Sequence, residues 1–398
     1  MKKIIQKSCF LLSSLCSFIF LLIFAGNICI PDEVVFYDNQ TTVKIHNVFY
    51  AVKSNSDTIS VSTANNEKTT ADISILGIIP VSEIDAKEAA RKYVYVGGSL
   101  VGIRLYTEGL LVVGTEEVAT ENGNVSPADE CGILQGDIIT QVNDEIVTSV
   151  SDFTSRIIAS DGKNISITVK RNNDLYYYSL KPAYSQAENN YRCGLWLRDS
   201  TAGIGTLTFA DPENKTLATL GHAICDAETQ AVLPVGNGDI LGATINGCIP
   251  GQKGTTGQIK GSFTDEILGK LYANNDCGVY GTYTAVSVEN GGLYPVASQT
   301  EIKTGDAQII STVSQDGAEF YDIEIEKITY SSGKTARSMV IKVTDPELLS
   351  ITGGIVQGMS GSPIIQNGMI VGAVTHVLLN DPTRGYGIFI ENMLDAAG

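Results

Sequence analysis

The segment Gly358-Met359-Ser360-Gly361-Ser362-Pro363 holds the residues best suited to covalent chemistry. A serine hydroxyl is a weak nucleophile at neutral pH and needs a base beside it. It also needs backbone N–H groups aimed at the oxyanion that forms when it attacks a carbonyl. Small residues on both sides of Ser360 let the chain turn tightly, and Gly358 and Ser360 are the candidate oxyanion donors. The chain has three histidines, His46, His222 and His376. His222 follows an apolar run and a glycine (Ala218 to Gly221), which presents an imidazole at the end of a strand, so it is the candidate base. His376 lies inside a predicted strand, Ala373 to Val377, and is read as structural support for the site. A third group must hold the imidazole in the right tautomer. Asp345, shortly before the serine, is one candidate; Asp226 and Asp276 are others.

These residues must be positioned by β-structure. Forty glycines against 11 prolines suit a turn-rich, mainly β protein. Residues 183–398 contain many short apolar runs bounded by Gly, Asn and Asp, among them Ile204 to Phe209, Val279 to Tyr283, Ala307 to Thr312 and Met339 to Val343. That pattern predicts an all-β barrel or sandwich. Upstream, over 92–182, Ser151 is a predicted helix N-cap, with Phe153, Ile157 and Ile158 on one helical face. Ile165, Ile167 and Val169 alternate with polar residues as a half-buried strand does. Residues 31–91 read as a linker, with a strand candidate at Ile73 to Val81 and a short helix at Asp85 to Arg91.

Residues 1–30 read as a membrane anchor. The apolar run from Cys9 to Ile30 is long enough to span a bilayer as a helix. Lys2, Lys3 and Lys7 precede it, which places the body on the far side of the membrane. A cleaved signal peptide is the rival reading. The net charge of −17, with no dense Lys/Arg run, excludes tracking of a phosphate backbone. The eight cysteines include no CxxC pair, and neither a metal site nor a disulfide framework is expected.

Two resemblances organise these parts. Ser126 to Asn143, with Gly132, Leu134, Gly136-Asp137 and Val142-Asn143, resembles the core signature of a PDZ domain. Val101-Gly102-Ile103 resembles its peptide-carboxylate loop, which implies an added peptide strand along Val101 to Leu105. Gly358 to Pro363 is similar to the GDSGGP segment of chymotrypsin-like proteases. Taken together, with Leu220-Gly221-His222-Ala223, Gly354 to Gly368, Val371 to Val377 and Asn380 to Thr383, the chain resembles the stage IV sporulation protein B peptidases of endospore-forming bacteria. The expected fold is therefore an N-terminal transmembrane helix, a PDZ domain and a chymotrypsin-like β-barrel. The resemblance implies Ser360 as nucleophile, His222 as general base and Asp345 as the third member, with no metal or organic cofactor.

It also implies a serine endopeptidase at the forespore membrane, facing the intermembrane space, released after self-cleavage within residues 31–91. The implied partners are the exported segment of a membrane regulatory protein, the chain's own N-terminal region and a peptide ligand of the PDZ domain. Cleavage would trigger a late sporulation sigma factor. Two other readings use the same parts: a PDZ scaffold with a catalytically silent barrel, and an exported quality-control protease.

Overall fold

The computed structural model describes residues 90–398 except 173, 290 and 331–335, together with Ser17 and the backbone of five strands between residues 33 and 89. The expected anchor over 1–30 thus lies outside the described residues, Ser17 apart. Among the described residues no helix is long and apolar enough to cross a membrane.

Residues 31–91, read as a linker with one strand candidate, carry more strand than expected. Five strands form one sheet in the order Glu33–Tyr37, Ile79–Ala89, Thr69–Ile75, Tyr50–Ser54 and Thr42–Ile45. The expected helix at Asp85 to Arg91 is instead the end of the strand Ile79–Ala89. Glu33–Tyr37 pairs with residues 85–89 in parallel register, so tertiary pairing overrides a weak local preference for helix.

Two closed barrels follow. In the first, β1 (Leu100–Thr115), β2 (Leu195–Asp211), β3 (Val235–Ile249) and β4 (Gln258–Asn275) join Thr216–Thr219 and Gly278–Tyr283. Their pairings run β1, β3, β4, Gly278–Tyr283, Thr216–Thr219, β2 and back to β1. The second barrel runs Gly305–Ser314, Gly317–Ile328, Met339–Val343, Asp381–Phe389, β5 (Met369–Leu378) and Pro363–Gln366. A buried seam joins them, with Val94, Phe209 and Tyr280 of the first meeting Ile310, Ile370, Ile388 and Met393 of the second. Closure removes free strand edges from both units.

The PDZ domain is inserted into the first barrel rather than placed before it. β1 pairs with β3 and β2 through its first half. Past Gly109 it enters the PDZ sheet, where Leu110 and Leu111 pair with Ile138–Val142. Gly109 has φ +89, and a Cβ there would lie 2.5 Å from the Ile139 carbonyl oxygen. Only glycine allows that switch. The sheet continues through Ile165–Arg171 to Asp174–Leu180. The chain returns along β2, whose Leu195 to Arg198 pair with the PDZ half of β1 and whose Ser200 to Thr206 pair with its barrel half. The barrel ring therefore begins with β1 at Leu100 and not at 183, and the PDZ insertion spans about residues 109–199 and not 92–182. Two strands shared along their length gave the sequence no break at either true boundary.

Inside the insertion, α1 (Val150–Ala159) is capped by Ser149, whose side chain accepts the Asp152 N–H. Phe153 and Ile157 are buried in the PDZ core, whereas Ile158 is partly exposed at its edge. The Gly136-Asp137 pair of the signature has a physical basis. Asp137, fully buried, accepts the Leu134 N–H and a two-pronged bond from Arg171. A buried carboxylate is tolerated only when paired in this way.

Candidate active site

Ser360 lies on the loop before Pro363–Gln366, and the first barrel holds that loop from behind. The Thr206 N–H donates to the Ser360 carbonyl at 3.0 Å. The Thr206 hydroxyl donates to the Gly358 carbonyl at 2.7 Å, and the Thr208 hydroxyl to the Gly361 carbonyl at 2.8 Å. Gly361 N–H donates to Val374 on β5 at 2.8 Å. Gly358 (φ +102) and Gly361 (φ +95) sit where side chains are strained. Among the described residues neither the Gly358 nor the Ser360 N–H is spent on another hydrogen bond. Both remain available as oxyanion donors.

The β3–β4 hairpin reaches across to the same loop. Gln357 N–H donates to Gly257 at 2.9 Å, and Ile259 N–H donates to Gln357 at 2.8 Å. This two-residue splint fixes the peptide that leads into Gly358. The hairpin tip is tied down by Gly251 N–H to Thr352 and Gly254 N–H to Leu379.

His222 follows the strand Thr216–Thr219 through two left-handed residues, Leu220 (φ 68) and Gly221 (φ 69). Gly221 N–H closes the turn onto the Thr219 carbonyl at 2.8 Å. This kink ends the strand and turns the imidazole toward the second barrel. His222 Nδ1 lies 2.8 Å from the Ala223 carbonyl oxygen. A carbonyl can only accept, so Nδ1 carries the proton and Nε2 is left as a base. Burial pushes the His222 pKa below its ordinary value, with the Ala223 hydrogen bond opposing.

Ser360, His222 and His376 line one cavity of about 720 Å³ between the barrels. The His222 and His376 rings are 4.7 Å apart, centre to centre. The Ser360 hydroxyl donates to the Thr375 carbonyl at 2.7 Å. Apolar walls come from Ile103, Ile204, Phe263 and Ile355, and among the described lining residues none is Asp, Glu, Lys or Arg.

Asp345 is not part of this cavity. It is the N-cap of α2 (Pro346–Thr352), its Oδ1 accepting the Glu347 and Leu348 N–H groups at 2.9 Å each. Its Oδ2 accepts the Asp322 N–H at 3.3 Å. An Asp-Pro start is a strong capping signal, and here capping is what the aspartate does. Asp226 is also committed, to Arg198 and to the Thr229 N–H and hydroxyl. The structure thus places Asp345 at the start of α2 and not among the residues lining the cavity with Ser360 and His222, and the partner it gives His222 Nδ1 is the Ala223 carbonyl.

The expected PDZ peptide edge is corrected as well. Val101 and Ile103 are buried in the barrel half of β1. Val101, Gly102 and Ile103 all have partners on both sides, in β2 and in β3. No edge is left there for an added strand. The PDZ cleft lies elsewhere, where Val150, Phe153 and Ile157 of α1 face Cys193, Leu195 and Leu197 around about 150 Å³. The apolar–Gly–apolar sequence Cys193-Gly194-Leu195 at the start of β2 was the missed signal. The roles of Thr206, Thr208 and the Thr375 carbonyl were also missed, since hydroxyls inside a strand carry no local signature.

His376 gives a pH test. Burial, then the charges of His222 and Arg337, push its pKa down to about 4. An unfolded histidine titrates near ~6.5, so between these values the unfolded chain binds more protons. The stability tied to a neutral His376 is complete above the ordinary value and is lost as pH falls toward 4. Urea midpoints taken at pH 7 and pH 5 should drop more for the wild type than for His376→Phe, which has nothing to titrate there. Equal drops would show that His376 does not titrate in that window.

A family model described as SpoIVB peptidase S55 matches residues 189–394, and a PDZ domain model matches residues 125–171. The zinc metalloprotease RasP of Oceanobacillus iheyensis is 30% identical over 64 residues, 16% of this chain and 15% of that protein. A putative zinc metalloprotease of Clostridium acetobutylicum is 28% identical over 116 residues, 27% of this chain and 34% of that protein. The chain thus spans about a third or less of these curated relatives. Among solved structures, the Rv3671c protease of M. tuberculosis in its active form matches with 13% identity and a TM-score of 0.29, over 49% of this chain and 72% of that one. The PDZ domain of an SdrC-like protein of Listeria monocytogenes matches with 20% identity and a TM-score of 0.19, over 23% and 87%.

Proposed function

Because the chain belongs to the SpoIVB peptidase S55 family, we propose that it is a serine endopeptidase acting through Ser360 and His222. The observation that carries this is the convergence on one cavity of Ser360, a His222 whose Nδ1 is bonded to the Ala223 carbonyl, and two N–H groups unspent among the described residues. In the resting protein the Ser360 hydroxyl is held by Thr375. To react it turns to His222 Nε2, which takes the proton as oxygen attacks the peptide carbonyl. The Gly358 and Ser360 N–H groups receive the oxyanion. His222 then gives its proton to the leaving amine, and water repeats the cycle on the acyl-enzyme. The cleft mixes apolar walls (Ile103, Ile204, Phe263, Ile355) with polar groups (Thr256, Gln258, Gln357), and with no charged side chain among the described lining residues it suits an extended peptide with uncharged side chains near the cut.

The family resemblance supports a narrower role. The enzyme would be anchored by residues 1–30 with its body exported toward the intermembrane space. It would process its own N-terminal region and cut the exported part of a membrane regulator, ahead of a late sporulation sigma factor. The PDZ cleft would engage a peptide, and β2 offers a direct route from it. Leu195 and Leu197 line that cleft, Thr201 to Ile204 line the catalytic cavity, and Thr206 holds the Ser360 loop.

A fluorophosphonate that traps activated serines tests the core of this reading. The wild type should take up one label per chain, on Ser360 by peptide mass. His222→Ala should take up almost none. A folded wild type that stays unlabelled, with and without peptide substrate, would favour the silent-scaffold reading.

A further inference from the structure

β2 serves both units. Leu195 and Leu197 line the PDZ cleft, and Thr201 to Ile204 line the catalytic cavity. β1 is its partner on one side, from Leu195 to Thr206. On the other side the strand Thr216–Thr219 pairs with it only from Leu207 onward. Among the described residues no strand pairs with that side over 195–204. Because β1 runs along the whole stretch, the unpaired side is one edge, continuous from cleft to cavity. Trp196, Ala202 and Gly203 on it are exposed, whereas Val101 and Ile103 of β1, paired on both sides, are buried. An unpaired edge is a template for an added strand, and a peptide added in this way is held by main-chain hydrogen bonds.

We propose that a substrate's carboxyl-terminal tail adds along this edge as one strand, its end in the PDZ cleft and its cut bond at Ser360, so that β2 measures the distance between them. The inference rests on the peptidase reading and names the substrate class: an extended tail with a free carboxyl end. The stretch from Leu195 to Ile204 spans about 30 Å at the rise of a β-strand. An added strand matches its partner residue for residue, so the cut falls about ten residues before the end of the tail.

Two observations set the direction of the tail. At the cleft, the Cys193 and Gly194 carbonyls are spent on the Ala128 and Glu116 N–H groups, at 3.1 and 3.0 Å. Oxygens that would repel a carboxylate are thus turned away, while the Gly194 N–H is unspent among the described residues. Backbone N–H groups are what captures a carboxyl end. With its end beside the start of β2, the tail must run antiparallel to the strand, its earlier residues toward the cavity. At the cavity, His222 protonates the leaving amine, which belongs to the tail half of the substrate. His222 follows Thr216–Thr219, the neighbour of β2, whereas Ser360 keeps the acyl half on the second barrel. Both ends therefore place the tail on β2. The spacing between them is held firm. Arg198, midway along, is tied to Asp226 and Glu228 on the loop after His222, and Thr206 holds the Ser360 loop.

The test gives the full-length protein, in detergent, pools of synthetic peptides with random uncharged sequence that all end in valine. One pool ends in a free carboxylate and a second in an amide. A third carries the free carboxylate and a longer amino end. Carboxyl-side fragments are sized by mass. Their lengths should centre on about ten residues and stay there when the amino end is lengthened. The acid pool should be cut at least about tenfold faster than the amide pool below saturation, because hydrogen bonds to a charged group are the stronger ones. Thr154 lines the cleft and is exposed. Thr154→Glu, checked for folding by its thermal midpoint, should erase the acid–amide difference, since the tail's carboxylate then meets a like charge. Cuts at no fixed distance from the carboxyl end, or equal wild-type rates for acid and amide, would overturn the inference. So would an enzyme that takes up fluorophosphonate on Ser360 and cuts none of the pools. Each of these leaves the peptidase reading standing, whereas a folded wild type inert to both peptide and fluorophosphonate sinks that reading as well.

Discussion

Ser360→Ala should lower peptide hydrolysis by about six orders of magnitude, the loss seen when a triad nucleophile is removed. Folding should barely notice. The substitution removes the hydrogen bond from the hydroxyl to the Thr375 carbonyl, worth about 1 kcal/mol. Asp345→Asn is the informative companion. Were Asp345 the third catalytic member, an amide there would cost about 10⁴ in kcat. As a helix cap, asparagine serves about as well as aspartate, so hydrolysis should stay within a few-fold of the wild type. Asp345→Ala should lower stability by about 0.5–2 kcal/mol, because the helix then starts without its cap. The two effects separate cleanly, since one falls on rate and the other on the unfolding midpoint. A thousand-fold rate loss in a folded Asp345→Asn protein would mean that Asp345 meets His222 in the working enzyme. The arrangement around Ala223 would then be a resting one.

The elements whose residues announce themselves locally were legible in the sequence. The nucleophile loop is marked by small residues around Ser360. The Gly-His step is marked by an apolar run ending abruptly, and α1 by its cap and its Phe153–Ile157 spacing. What stayed hidden was carried by pairing between distant strands. Val101 to Ile103 looks like a PDZ loop because β1 supplies strands to two domains. Its neighbours β2 and β3 lie more than ninety residues away in sequence. The same sharing concealed the insertion. Asp345 misled for another reason: an aspartate before proline suits a helix cap and a catalytic acid equally until its partners are known. His376 is masked by its setting, because a histidine in an apolar strand is usually a core residue. Only the fold brings its ring beside His222.

Gly361→Ala should have a large structural effect for a single methyl group beside Ser360. At φ +95 a non-glycine residue is strained by about 1–2 kcal/mol on backbone grounds alone. The added carbon would also lie 2.2 Å from the Thr206 carbonyl oxygen and 2.5 Å from the Leu220 nitrogen. Both are backbone atoms, so no side chain can swing aside. Either the Ser360 loop moves away from β2, or the turn at Leu220 that feeds His222 moves. Each movement breaks the geometry: the first releases the Thr206 and Thr208 bonds that set Gly358 and Gly361, and the second displaces the base. Stability should fall by at least about 3 kcal/mol, within the range of mutations that overpack a core. Hydrolysis should fall by at least about a hundredfold in the protein that remains folded, as when one oxyanion donor is removed. Gly114→Ala is the control, since nothing lies within 4 Å of a Cβ there. It should match the wild type in thermal unfolding and in fluorophosphonate labelling. If Gly361→Ala matched it too, the close packing of the Ser360 loop against β2 would not exist in solution, and the oxyanion site would need another source of rigidity.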